Sequence, residues 1–278
     1  MKRIVGICRF SYVGRSDWKA FAGIKGQDEA LLSRVAAQLF TPRRMAQRFR
    51  SFRDVTLASV AAQSDPNFTF LVVSSDRMPQ AMRENLLTLC RDIPQAQVVF
   101  AAQPTLGEVL APILQDMAQQ DGRPVIQFRL DDDDGLPARY IQRLRAHAAR
   151  LDDLAQFGIC FNRGVMIKLE PDRPPVPLSF QMPFLGAGCA VRLADPRQSI
   201  FAMGHYQIPR RMTVLQDNEQ MGALVLRWVD SDSVELDLAK LPKGIEILPD
   251  TKADQIFAAE YPWLRPVAIK ALLGADLP

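Results

Sequence analysis

The sequence predicts an α/β fold in which a mostly parallel sheet with flanking helices gives way to a mixed or antiparallel second portion. The first half alternates short β-like runs with helix-period stretches, the pattern of strands joined by crossover helices. Beyond about Leu151 the extended pieces shorten, and Pro171, Pro174, Pro175 and Pro177 interrupt them, which favours antiparallel pairing over further crossover units. Late in the first portion, an apolar strand runs directly into four consecutive aspartates and then a helix.

Strands are expected at Arg3–Cys8, Thr69–Ser74, Gln97–Phe100 and Pro124–Leu130. Between them, Asp54–Gln63 turns Val55, Leu57, Ala58, Ala61 and Ala62 toward a core, and Pro79 opens a helix carrying Met82, Leu86, Leu87 and Cys90. Thr105-Leu106-Gly107-Glu108 has capping-box spacing ahead of Val109, Leu110, Ile113 and Met117, although Pro112 should kink that helix or postpone its start. Leu136, Tyr140, Ile141, Leu144 and Leu151 share one face of a further helix. In the second portion, Phe157–Phe161, Val165–Leu169, Leu178–Gln181 and Cys189–Leu193 read as extended, Gln216–Trp228 returns to helical character, and residues from Leu241 on read as loops with one or two short docking helices.

The 278 residues, 48% apolar and 23% charged, suffice for one large core and exclude disordered and fibrous classes. With 34 basic against 31 acidic residues there is no overall field to attract nucleic acid, so none is expected as a partner. Ile4–Cys8 is too short an apolar run for a signal peptide, and no uninterrupted run reaches membrane-spanning length, so a cytoplasmic location is expected. Cys8, Cys90, Cys160 and Cys189 are scattered in apolar contexts, which suggests neither zinc nor disulfides.

Asp131–Asp134 is the most informative feature. Carboxylates gathered at a strand's carboxyl end repel one another unless a hard divalent cation offsets them, and ligands of open α/β sheets bind at that end. Metal-diphosphate binding is the sharp reading; an acidic loop capping the next helix is the bland one. Arg9 after the first strand and, less strongly, Arg44 offer guanidinium forks for phosphate oxygens, Arg44 within a group that also holds Arg43, Arg48, Arg50 and Arg53. That acid-sparse group also allows contact with a membrane surface. Of the two histidines, His147 sits in an amphipathic helix, whereas His205 occupies a loop able to touch a metal or diphosphate. Trp18, Trp228 and Trp263 suit either sugar stacking or the core.

Arg129-Leu130-Asp131-Asp132-Asp133-Asp134-Gly135-Leu136-Pro137 resembles the strand, D-x-D motif and helix start of nucleotide-sugar glycosyltransferases with the GT-A fold, and more specifically the bacterial putative rhamnosyltransferase family. A second block agrees: Leu39-Phe40, Arg44, Arg48-Phe49, Phe52, Thr56-Leu57, Gln63-Ser64-Asp65 and Leu71–Asp76 follow that family's Arg-rich segment, helix and second strand.

The resemblance implies a GT-A-like domain over 1–240, with a nucleotide-sugar-binding part at 1–151 and an acceptor-side part at 152–240, and an extension at 241–278 packed on it. It also implies Mn²⁺ or Mg²⁺ at Asp131, Asp133 and Asp134, where His205 joins them by its loop placement, and a UDP- or dTDP-linked donor contacted by Asp76, Asp131 and Gly188, alongside the Arg9 and Arg44 read from their own chemistry. The acceptor would be a glycan or a lipid-linked one, and rhamnose is one sugar the family's name suggests. Gly186–Arg192 resembles the acceptor-side glycine segment of inverting family-2-type enzymes. Asp217, with Glu219 in reserve, matches their base, although Gln216-Asp217 stands where Glu-Asp is usual. An N-cap is the competing reading for Asp217, as it is for Asp76 ahead of Pro79.

Two rival classes are a metal-dependent phosphohydrolase or nucleotidyltransferase and a catalytically silent nucleotide-binding protein of the same fold. A phosphohydrolase with an aspartyl nucleophile would place its acids after the first strand, which here ends Ile7-Cys8-Arg9-Phe10.

Overall fold

The computed structural model describes residues 3–14, 28–170, 173–228 and 236–265. Trp18 and residues 266–278 of the C-terminal extension lie outside them.

β1 (Ile4–Arg9) is followed by α1 (Glu29–Leu39), which Asp28 opens by accepting the N–H groups of Ala30 and Leu31. α2 (Pro42–Ser51) begins on a proline that needs no donor and runs through a π-helical turn, Phe52–Leu57, into α3 (Ala58–Ala61). Then come β2 (Thr69–Ser75), α4 (Gln80–Cys90), β3 (Ala96–Ala101), α5 (Leu106–Asp121), β4 (Ile126–Arg129), β5 (Asp134–Gly135) and α6 (Tyr140–Ala149). The second portion holds β6 (Phe157–Leu169), β7 (Val176–Gln181), β8 (Ala190–Arg192), α7 (Ile208–Arg211), β9 (Val214–Trp228), β10 (Ile245–Ile247) and α8 (Asp250–Glu260).

One sheet joins both portions. β3, β2, β1 and β4 lie side by side and parallel; β8 is antiparallel to β4, and β6, β7 and β10 continue antiparallel beyond it. β9 runs parallel to β6 and takes β5 antiparallel. This is the expected division into a parallel part and a mixed part. Because Ile7 pairs with both Leu71 and Arg129, the carboxyl ends of β1, β2 and β4 open on the same edge, where ligands of such sheets bind.

Burial on both faces sets the core. Ile4 and Cys8 pack with α1, α4 and α6, while Val5 and Ile7 face α5, as the two-residue period of a strand requires. Gly6 has no side chain because a Cβ there would lie 2.3 Å from the Phe128 ring. α5 starts at Leu106 with Thr105 accepting the N–H of Glu108 at 3.2 Å, and it passes through Pro112. The cap and the buried Leu106, Val109, Leu110 and Leu114 outweigh a proline penalty of ~3 kcal/mol.

Gln216–Trp228 is a strand, not a helix. Met221–Leu226 is buried between β6 and β5, and such a doubly covered strand reads as a continuous apolar run with no period to betray it. The polar stretch that resembled a helix start is a bulge, since the register passes from Phe161–Asp217 to Arg163–Met221. Ile245–Ile247 pairs with β7 as an edge strand that was not expected. Tyr261 donates to the Ala223 carbonyl at 2.8 Å, and Glu260 holds Arg143 at 2.7 and 3.0 Å. Among the described residues no helix is long and apolar enough to cross a membrane.

Candidate functional site

The aspartates form a turn directly after β4, with the Asp134 N–H bonded to the Asp131 carbonyl at 3.2 Å. Asp134 then enters β5 and pairs with Val225 of β9. Thr56, in the π-helical turn, donates to the Asp134 carbonyl at 2.9 Å, so helix and turn are locked together. Beside this turn lies a cavity of about 320 Å³, lined by all four aspartates. Its other walls come from distant segments: Arg9, Ser11 and Tyr12 after β1, Arg44 and Arg48 on α2, Leu185–Ala187 before β8, His205 and Tyr206 before α7, and Arg227 near the end of β9.

Arg48 Nη1 reaches Asp132 Oδ1 at 2.6 Å and Asp133 Oδ2 at 3.0 Å, and Arg129 Nη2 lies 3.6 Å from Asp131. Burial works against the charge of every carboxyl in the turn. At Asp131 the guanidiniums of Arg129, Arg9 and Arg48 prevail and hold the group below the usual carboxylate range. Asp132 is raised by burial despite Arg48. Burial, with Asp132 and Asp131 adding repulsion, pushes Asp133 up to about 6, and Asp134 is pushed well up by burial and then by Asp133.

Burial thus disfavours the charged form at three of the four carboxyls despite the nearby arginines, and a cation bound there would favour it. Among the described residues no group of three or more His, Cys, Asp or Glu side chains converges to hold an ion alone. A divalent ion here would need phosphate oxygens or water as further ligands, the usual arrangement for Mg²⁺ beside a diphosphate.

His205 Nδ1 meets the Phe184 carbonyl, which can only accept, so Nδ1 carries the proton and Nε2 of the neutral ring keeps a lone pair. Phe184 and Ser11, at φ 53° and 47°, are positive-φ residues in segments bordering the cavity, where such strain concentrates. Among the described residues the buried Arg129 Nε has no hydrogen-bond partner.

Of the expected donor residues, Arg9, Arg44 and Asp131 line this cavity, as do Asp133, Asp134 and His205 of the expected metal set. Arg44 is held by Ser11 Oγ at 3.0 Å and the Leu39 carbonyl at 2.9 Å. Asp76 is exposed at the end of β2 and outside the lining; it caps no helix, since Pro79 occupies that position without a side-chain cap. It is close enough to act with burial in raising the Tyr12 phenol to about 12.

Gly188 also stays out of the cavity. Its φ of 68° and a Cβ position 2.7 Å from the Gly222 carbonyl show that the close approach is to β9 and not to a donor. Gly186 and Ala187 line the cavity in its place.

Asp217 and Glu219 are not brought to the cavity. Asp217 Oδ1 accepts the N–H groups of Glu219 and Gln220 at 2.8 and 2.9 Å, and Oδ2 meets His147 Nε2 at 2.8 Å. Burial opposes its charge, but those N–H groups and His147 prevail and keep the carboxyl below its usual range. It anchors the β9 bulge to α6. Asp217→Ala should therefore cost ~1–3 kcal/mol in urea unfolding while leaving nucleotide affinity unchanged; a selective loss of nucleotide binding in a fully stable variant would contradict this. Glu219 is exposed. Trp263 belongs to the core: its Nε1 donates to the Leu136 carbonyl at 2.9 Å.

Arg48, Arg129, Arg227 and Tyr206 were not singled out from the sequence as ligand contacts. Arg129 was the most legible, standing two residues before the acidic run.

Residues 3–240 match the family described as "Putative rhamnosyl transferase". No curated protein matches. Similar solved structures include S. aureus TarS 1–349 in complex with UDP-GlcNAc, with 13% identity and a TM-score of 0.37 over 82% of this chain and 59% of that one. S. aureus TarS is 12% identical, with a TM-score of 0.38 over 81% of this chain and 37% of that one. A 4-diphosphocytidyl-2C-methyl-D-erythritol synthase is 11% identical, with a TM-score of 0.37 over 78% of this chain and 90% of that one. The chain thus spans less than two thirds of the TarS chains it matches. With residues 3–240 matched, the chain belongs to the "Putative rhamnosyl transferase" family.

Proposed function

We propose that the chain is a glycosyltransferase that moves a sugar from a UDP- or dTDP-linked donor to a hydroxyl of a glycan or lipid-linked acceptor, with rhamnose as the sugar the family suggests. The observation that carries this reading is the cavity, in which an aspartate turn and the guanidiniums of Arg9, Arg44, Arg129 and Arg227 share one wall system. The arginines suit diphosphate oxygens, and the carboxylates suit a cation and sugar hydroxyls.

Asp131 and Asp133 are the side chains that would hold Mn²⁺ or Mg²⁺, with phosphate oxygens or water as its further ligands. Bound there, the ion would offset charge on the departing diphosphate. Asp134, whose charge burial disfavours and whose backbone is tied into β5, is the least suited of the four. Arg9 and Arg129 keep Asp131 ionised and present cations toward the same space.

In the proposed displacement the acceptor oxygen bonds to the anomeric carbon and the bond from that carbon to the diphosphate oxygen breaks. The electron pair leaves with the nucleoside diphosphate, and the hydroxyl proton passes to a base. A single step inverts the anomeric centre. Proton acceptors lining the cavity are the aspartate turn and His205; Asp217 is not among them.

Thermal unfolding against a panel of nucleotide sugars, with and without Mn²⁺, tests the reading. A cognate donor at a hundred times its Kd should add ~2.7 kcal/mol of stability. Absence of a shift with every nucleotide sugar would reject it, and release of pyrophosphate from a nucleoside triphosphate would favour nucleotidyl transfer instead.

A further inference from the structure

A second cavity, of about 300 Å³, adjoins the first, and Arg44, Arg48 and Asp133 line both. The rest of its wall is Thr41, Arg43, Gln47, Ser51 and Trp228. Helical spacing explains the grouping. Thr41, Arg44, Arg48 and Ser51 follow one another at three- and four-residue steps along a face of α2, and Arg43 and Gln47 form the adjacent row. Trp228, at the end of β9, closes the cavity with a half-buried indole.

Two of the three guanidiniums are engaged: Arg48 holds Asp132 and Asp133, and Arg44 is bonded to Ser11 and the Leu39 carbonyl. Arg43 is exposed, and among the described residues no carboxylate pairs with it. An indole beside an amide, two hydroxyls and the Arg43 guanidinium is the chemistry that binds a sugar ring carrying an anion.

We propose that this second cavity is the acceptor subsite and takes an anionic saccharide, its ring against Trp228 and its carboxylate or phosphate on Arg43. The inference rests on the glycosyltransferase reading above. Asp133, common to both cavities, marks the wall across which an acceptor hydroxyl would meet the donor sugar.

Saturation-transfer NMR on the full chain tests it with three probes: methyl β-D-glucuronide, α-D-glucose 1-phosphate and neutral methyl β-D-glucoside, each with and without saturating UDP and Mg²⁺. At least one anionic probe should bind while UDP is bound, about tenfold more tightly than the neutral glycoside, the effect of one charge-assisted contact. Whether the carboxylate or the phosphate probe prevails identifies the anion. Arg43→Gln, at an exposed position, should abolish the anionic preference, and Trp228→Leu should abolish binding of all three. Displacement of the probes by UDP, an unchanged preference in Arg43→Gln, or no binding by any probe while UDP binds would overturn the subsite and leave the donor reading standing. Failure of UDP to bind would instead count against the donor reading.

Discussion

Arg48→Met should destabilise the chain by about 3 kcal/mol at neutral pH, the scale for removing one partner from a buried ionic cluster. Arg48 is the guanidinium bonded to Asp132 and Asp133 together, and the side chains of all three are no more than one-fifth exposed. Methionine keeps most of the packing but leaves two carboxylates without their cation. Because burial already favours the protonated form of both, the loss should shrink at acid pH, where proton uptake removes the unpaired charge. Urea unfolding at pH 5 and pH 8 reads both effects. Equal stability of variant and parent at pH 8 would show that the cluster does not hold the turn.

Asp133→Asn should produce a pH effect of similar size and opposite sign. The folded carboxyl titrates at about 6, above the ordinary aspartate value of about 3.9. A group whose folded pKa is raised contributes stability that is fully present below the unfolded pKa and is lost as pH rises through the folded one. Without a cation, this residue alone should cost the parent up to about 3 kcal/mol between pH 4 and pH 8. Asp131, whose pKa is lowered, works in the other sense, and its contribution is lost as pH falls. Asp133→Asn should match the parent near pH 4 and exceed it near pH 8, as paired unfolding curves would show. A variant less stable than the parent at pH 8 would mean that the charge at Asp133 is stabilising even without a cation.

The parallel half of the sheet was legible because each strand is a short apolar run bounded by turn residues, and the placement of Asp131–Asp134 after Pro124–Leu130 followed from that pattern. β9 was not legible. A strand buried on both sides shows no alternation, and Asp217-Asn218-Glu219 offers the same side chains for an Asx-turned bulge as for a helix start. Once that segment is a strand, its aspartate faces α6, and the expected base leaves the cavity.

Gly188 failed for a related reason: the sequence shows that backbone must approach something there, but not that the something is Gly222. Arg227 was hidden because β9 brings it to the turn from far along the chain. Arg9 could be found as a guanidinium directly after the first strand, whereas the arginine-rich segment gave no sign of which of its members face the cavity, so Arg48 went unselected beside Arg44.

Calorimetric titration of UDP into the parent chain and into Asp133→Asn, each with and without Mn²⁺, tests most directly whether the aspartate turn binds a diphosphate through a divalent cation. The parent should bind UDP more tightly with the cation, and the variant should lose roughly tenfold or more of that affinity, the scale of a lost charged contact. Equal affinity in the two proteins, or UDP binding by the parent that does not respond to Mn²⁺, would contradict it.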